Sequence, residues 1–494
     1  MTGWDPRADP PRLVPEILGE LPVADPDETT VVLRLRRGAE ARRFARDPCL
    51  GGASREVRAS DVAASLRRID PARHPAAAAL IAGRFAEITA DDAAATVTLR
   101  LTRPQPELGV LLASPNLAIV PPECVAYYDG RDAEHPRFAR HPVGSGPYAL
   151  DAAASELPRT AVLVANPDLS PRTGTSPCGW PGASPVVLSH FNDPEPALRA
   201  FQGGELAALS PGQAQFAEVV ADGAPIAGAL PAGARLEKFP VLATTMLVFR
   251  MRDAEVGQSP DPRVDAEHLA LRRAVALAFD GARFHRVIRN GAWAEPRARL
   301  VPRGVGEHTG EVLHRFAPPS ADLQQARQVL AAAGLATTPR TLRYWTGTSE
   351  GEEQEATILR DALRPLGIDL QITRRADYLF AVGTGDAQLF LLRFDADYLD
   401  AGNFLAPFVC DAPDNFSGYC DPAYDAAFAA FSRLAPGPAR DRAAEELERR
   451  LGEAVPVRPV DQPAAWYFSQ PWLHGLLRHP LLGLRIELLC PDRG

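Results

Sequence analysis

Lysine is nearly absent from this sequence: Lys238 stands alone among 494 residues, and arginines scattered among acids carry the positive charge. With a formal net charge of -9 and no basic run, the chain has no footprint for nucleic acid, whose binders gather cations on one face. No window approaches the roughly 18 uninterrupted apolar residues of a membrane span. A secretory leader would place a basic and then an apolar segment at the front, whereas Met1 to Asp9 carry acids and prolines. Either a leader has been removed or the start is incomplete. The six cysteines, Cys49, Cys124, Cys178, Cys410, Cys420 and Cys490, make no CxxC pair and no zinc-ligand spacing. No metal is indicated, and nothing calls for a cofactor.

Cys410 and Cys420 bracket the turn-forming segment Asp411 to Tyr419, a short loop that one disulfide would close in an oxidising compartment. The alternative is two unrelated buried thiols. Spacing assigns no partner to the other four cysteines.

What is present is ample apolar material: 46% hydrophobic and 23% charged residues match folded globular proteins. At this length a single core has stopped growing, so two or three lobes are expected. Residues 1–165 read as an α+β insert subdomain of the first lobe, 166–255 and 460–494 as that lobe's core, and 256–459 as the second lobe.

Thr30 to Arg36 and Thr96 to Thr102 alternate apolar and polar residues, the period of strands with one buried face. Between them, Ser60 is expected to cap a helix from Asp61 to Arg68. Asn166 to Pro185, rich in Pro, Gly and Ser, reads as an exposed loop between lobes. A strand, Val186 to Ser189, and a helix, Glu195 to Gly204, follow. Further on, helices are expected over Ala266 to Phe279, Ala282 to Asn290 and Asp322 to Ala333. Strand Thr341 to Trp345, helix Glu352 to Leu366 and strand Ile368 to Thr373 form a βαβ unit, which implies a parallel sheet in the second lobe. Gln388 to Phe394 supplies an interior strand. The fold class is α/β.

Two constellations compete for chemistry. Gly347-Thr348-Ser349-Glu350-Gly351 fits G-x-S-x-G between a strand and a helix, and Asp397 or Asp400, then His474 or His479, follow in the order of a serine hydrolase. Against it, no oxyanion segment precedes the motif, and a strand-to-helix loop uses Gly, Ser and Thr in any case. Glu350, Glu352, Glu353 and Glu355 read as a solvated helix start. The other constellation is Asp395, Asp397 and Asp400, in the loop leaving the strand Gln388 to Phe394 and flanked by Phe394, Tyr398 and Phe404. Carboxyl ends of strands open onto ligand crevices, so a carboxylate there suits a bound ammonium group. A wet acidic loop is the alternative.

Several segments together resemble the peptide-type, family 5 extracellular solute-binding proteins of ABC importers. They are Val31 to Arg37, Ile119-Val120-Pro121, Pro142 to Tyr148, Leu271 to Asp280, Phe394 to Tyr398 through Asn403-Phe404, Asn415 to Cys420 and Gln470-Pro471-Trp472. The resemblance implies a type II flytrap, two periplasmic-binding-protein-like lobes closing on a ligand, with an α+β subdomain added to the first. It implies a binding protein and not an enzyme, a monomer of the periplasm or cell surface that hands a short peptide or similar small polar solute to an ABC permease. By the same resemblance Asp397 grips the ligand's ammonium group and Phe394, Asp395, Ala396 and Tyr398 shape the site. Where dipeptide-restricted members place an arginine, this chain has Thr346 and Thr348, which leaves ligand length open. Phe249-Arg250-Met251 and Gly204-Glu205-Leu206-Ala207 also depart from the family pattern. A first strand and helix, usual upstream of Trp4 to Glu20, are missing, so an exposed sheet edge is expected in the first lobe. The alternatives are a serine hydrolase using Ser349 and a ligand-sensing domain without a transport role.

Overall fold

Alternation in the front of the chain produces paired strands. In a computed structural model, which describes residues 1–5, 8, 12–22, 29–130, 137–169, 178, 181–221, 224–306, 313–337, 339–383, 385–479 and 481–492, β1 (Thr30–Arg34), β2 (Phe85–Asp91) and β3 (Thr96–Leu101) form an antiparallel sheet in the order β1-β3-β2. Val31 lies opposite Leu99 and Leu33 opposite Val97, and burying these four side chains closes one face of the sheet. Each such burial stabilises the unit by about 1.5–3 kcal/mol before entropy is counted.

Helix α1 (Ala59–Arg67) packs on β2 and β3 through Val62, Ala63 and Leu66. Ser60 does not cap it, contrary to expectation. The Asp61 carboxylate reaches back to accept the Arg58 backbone N–H at 2.8 Å, which starts the helix two residues earlier. Ser60 lies inside the first turn, and its N–H and hydroxyl both donate to Asp92 at 2.8 Å. Asp61 is almost fully buried and is neutralised by the guanidinium fork of Arg55 at 2.7 and 2.8 Å.

The chain divides into two units, Met1–Glu237 with Trp466–Gly494, and Lys238–Ala465. The first also holds an antiparallel sheet of β4 (Tyr148–Leu150), β5 (Thr160–Ala165) and β6 (Val186–Ser189), ordered β6-β5-β4. Half of the Pro/Gly/Ser-rich stretch before β6 lies outside the described residues. Both its flanks belong to the first unit, so it does not link the two, and Asn166 at its start is buried. Helix α2 (Pro194–Gln202), capped by Asp193, ends at Gly203-Gly204, where Gly204 takes a φ of 81° that an L side chain resists. It leads into β7 (Ala208–Leu209).

In the second unit β8 (Ala243–Phe249) is buried along its whole length. Helices α3 (Pro262–Ala278), α4 (Gly281–Ile288) and α5 (Leu323–Ala332) follow, and α5 takes its cap from Asp322, whose side chain accepts the Gln325 N–H. Next come β9 (Arg340–Thr346), α6 (Glu350–Leu363), β10 (Ile368–Arg374) and β11 (Leu389–Asp395). α7 (Ala401–Leu405), α8 (Pro438–Ala454) and the long β12 (Val457–Ser469) complete the series. Strand order is β12-β8-β11-β9-β10. The βαβ unit is as expected, with β9 parallel to β10 and to β11, but β8 runs antiparallel to both neighbours, so the sheet is mixed. β12 ends in the first unit, where Phe468 and Ser469 pair with β7.

Three disulfides join Cys49 to Cys124, Cys178 to Cys490, and Cys410 to Cys420. The last closes the short loop singled out in the sequence.

Candidate functional site

The acidic loop is built by β11 and held from behind by one asparagine. As β11 ends, the Ala396 N–H still donates to Leu242 O at 2.8 Å, carrying its pairing past the start of β8. The Asn403 side chain, buried in α7, then accepts the N–H of Asp397 at 2.7 Å and that of Tyr398 at 3.4 Å. Two backbone amides on one carbonyl oxygen fix the turn that carries the Asp397 side chain.

The three aspartates do different things. Asp400 accepts the Gly402 N–H as cap of α7 and meets Arg440 through both oxygens, Nε to Oδ2 at 3.0 Å and Nη2 to Oδ1 at 2.8 Å. Asp395 is exposed and paired with Arg393. Asp397 is partly buried. Desolvation raises its carboxyl pKa above the ordinary value, and the negative charges of Asp414 and Asp395 raise it further.

Around the loop the ring of Phe394 meets Phe404 edge-on at 5.6 Å and Phe416 at 6.2 Å, and Phe416 meets Phe408 at 5.6 Å. Tyr398 is 4% exposed, so it packs beneath the loop. Phe394, Asp395, Ala396, Asp397 and Tyr398 are thus contiguous. Thr346 is buried at the end of β9, and its hydroxyl donates to Glu352 O at 3.4 Å. Since Trp345 registers with Phe390, Thr346 is level with Leu391, well before Asp397 along β11.

The G-x-S-x-G serine is occupied as a helix cap. Ser349 Oγ accepts the Glu352 N–H and donates to the Glu352 carboxylate, while that carboxylate accepts the Ser349 N–H, a reciprocal capping box for α6. The histidines of the hydrolase pattern are also engaged. His474 bonds Asp492 at 2.8 Å, and His479 Nδ1 accepts the N–H groups of Leu481 and Leu482. Burial beside Arg485 and Arg478 lowers the His479 pKa to about 4.

One polar cluster escapes the sequence reading. On the sheet of the second unit, Thr245 of β8 registers with Asp461 of β12, and Arg289 reaches both, Nε to Asp461 Oδ2 at 2.9 Å and Nη2 to Thr245 Oγ1 at 3.3 Å. Nearby Glu355 is not part of a solvated helix start. Desolvation pushes its carboxyl pKa up to about 7, against the pull of Arg289. The residues lie on β8, just after α4, on α6 and on β12, so no local pattern announces them.

The family model for bacterial extracellular solute-binding proteins, family 5 Middle, matches residues 13–416. The periplasmic murein peptide-binding protein MppA of Escherichia coli is 27% identical over 155 residues, a match spanning 31% of this chain and 29% of that protein. The Helicobacter pylori periplasmic binding protein DppA, solved in complex with the peptide STSA, superposes with a TM-score of 0.76 at 18% identity, covering 100% of this chain and 91% of that one. The clavulanic acid biosynthesis oligopeptide binding protein 2 gives 0.75 at 22% identity, covering 97% and 87%. The fold is therefore α/β of the two-lobed, periplasmic-binding-protein-like class.

Proposed function

The chain belongs to the family 5 bacterial extracellular solute-binding proteins, and from that membership we propose that it binds a short peptide, or a similar small polar solute with a cationic end, at the loop after β11. The family and the fold are those of binding proteins rather than enzymes. In the proposed role the chain itself performs no chemistry. It works at the periplasm or cell surface and delivers its solute to an ABC permease.

The observation that carries this reading is the setting of Asp397. Its carboxylate is partly desolvated, and the charges that shift it, Asp414 and Asp395, are negative. A cationic guest would relieve both penalties at once, and the aromatic wall led by Phe394 strengthens such pairing by lowering the local dielectric. Peptide-binding relatives support a peptide over other cations. Main-chain hydrogen bonds would hold the peptide backbone and leave its side chains in wet pockets, so sequence tolerance is expected.

Native mass spectrometry of the protein mixed with a library of two- to five-residue peptides tests the proposal. Retained one-to-one complexes with peptides of free amino terminus are expected. A spectrum showing only the free protein across the library would refute it.

A further inference from the structure

The second unit has a cavity at the end of its sheet opposite the Asp397 loop. β9 begins at Arg340 and runs parallel to β11, with Tyr344 level with Leu389, whereas Asp397 lies two residues past the other end of β11. The cavity, of about 420 Å³, is walled by the first residues of β9, one face of α3 and the turns that follow β8 and α5. Its volume lies within the range of small-molecule sites. Helical spacing puts Glu267, His268 and Leu271 on that face of α3, three and four residues apart. Leu271, Leu335 and Leu342 are buried and give the cavity an apolar floor.

The polar groups on its wall are incompletely satisfied. Arg340 Nε is buried without a hydrogen-bond partner, and among the described residues its guanidinium meets no carboxylate. His268 Nδ1 bonds Gly257 O at 2.9 Å. A carbonyl only accepts, so Nδ1 carries the proton and Nε2 of the neutral ring is left as an acceptor. Glu267 meets Arg263 at 3.3 Å in an exposed pair, which holds it weakly. Glu255 bonds Arg343 at 3.4 Å and Gln388 at 2.5 Å and still borders the cavity.

We propose that this cavity binds a small zwitterion, an α-amino acid with an apolar side chain. Its carboxylate accepts from the Arg340 guanidinium, its ammonium group donates to Glu267 and to His268 Nε2, and its side chain lies on the three leucines. The mixed charge of the wall selects this class. A simple anion would answer Arg340 but face Glu267 and Glu255, and a simple cation would answer the two acids but face Arg340. An apolar guest would cover the guanidinium without pairing it, at the cost of its remaining hydration. Only a guest carrying both signs meets every group. This inference is independent of the solute proposed for the loop at Asp397.

Isothermal titration of leucine into the Asp397→Asn protein tests it, because the loop's own carboxylate then supplies no signal. Saturable one-to-one binding is expected. N-acetylleucine, which lacks the ammonium charge, and leucinamide, which lacks the carboxylate, should each bind the same protein about tenfold more weakly or worse. Arg340→Gln added to that background should weaken leucine binding to a similar degree, and the comparison of the three ligands, made on an unaltered cavity, stands without it should that variant fail to fold. No saturable binding of leucine, equal binding of leucine and either blocked ligand, or full affinity for leucine in a folded Arg340→Gln variant would each overturn the proposal.

Discussion

Arg440 grips Asp400 through both carboxylate oxygens, at 3.0 and 2.8 Å, in a pair that is almost wholly buried. The same guanidinium donates to Phe431 O and Leu434 O and lies 4.1 Å over the Phe431 ring. This pair ties α8 to the cap of α7, and α7 carries the asparagine that shapes the Asp397 turn.

Arg440→Met leaves the Asp400 charge buried and unanswered, so a loss of about 3–5 kcal/mol is expected in urea denaturation. Arg440→Met combined with Asp400→Ala should lose less than the sum of the single changes. A loss under about 1 kcal/mol for the single variant would show that water, and not Arg440, solvates Asp400.

Glu355 makes stability depend on pH. Its folded-state pKa, about 7, lies above the ordinary 4.5, so the folded protein holds a proton that the unfolded chain releases. Its contribution is full below pH 4.5 and is lost as pH rises through about 7. Glu355→Gln should therefore match the parent at pH 4 and exceed it at pH 8 by roughly 2–3 kcal/mol. Chemical denaturation at the two pH values reads the difference, and equal stability at both contradicts the assignment.

Ser349→Ala removes the cap of α6 and should cost about 1 kcal/mol of stability. It should not alter solute binding, and a fluorophosphonate probe should label neither protein. Labelling that depends on Ser349 would restore the hydrolase reading.

The Cys410–Cys420 bond closes a loop with a sequence separation of 10. Replacing both by serine should lower stability by about 2–3 kcal/mol through the entropy returned to the unfolded chain. Thermal unfolding with and without reductant measures it, and an unchanged midpoint in both conditions contradicts the role.

Elements whose cause is local were legible in the sequence. Thr30–Arg34 and Thr96–Leu101 alternate because one face is buried, and the βαβ run from Arg340 to Arg374 keeps its hydrophobic periods. Ser60 does not cap because the helix begins two residues earlier, where the Asp61 carboxylate accepts the Arg58 N–H, and the Ser60 hydroxyl donates to Asp92 instead. The antiparallel course of β8 was hidden, since burial along its whole length says nothing of its neighbours' direction. Cys178 and Cys490, separated by 312 positions, meet through the fold of the first unit and leave no local trace. At the candidate site, position after a strand pointed to Asp397. The clamp by Asn403 was not legible, because it depends on a side chain folding back onto amides five and six residues earlier.

The central claim is that the Asp397 carboxylate holds a cationic group of the solute. Isothermal titration of one short peptide, once with a free and once with an acetylated amino terminus, into the parent protein and Asp397→Asn tests it directly. The account predicts that the free-amine peptide binds the parent, that acetylation or Asp397→Asn each weakens binding at least tenfold, and that both together add little. Binding also weakens as pH falls through the raised Asp397 pKa. Equal affinity of the two peptides for the parent, or full affinity of the free-amine peptide for Asp397→Asn, would contradict it.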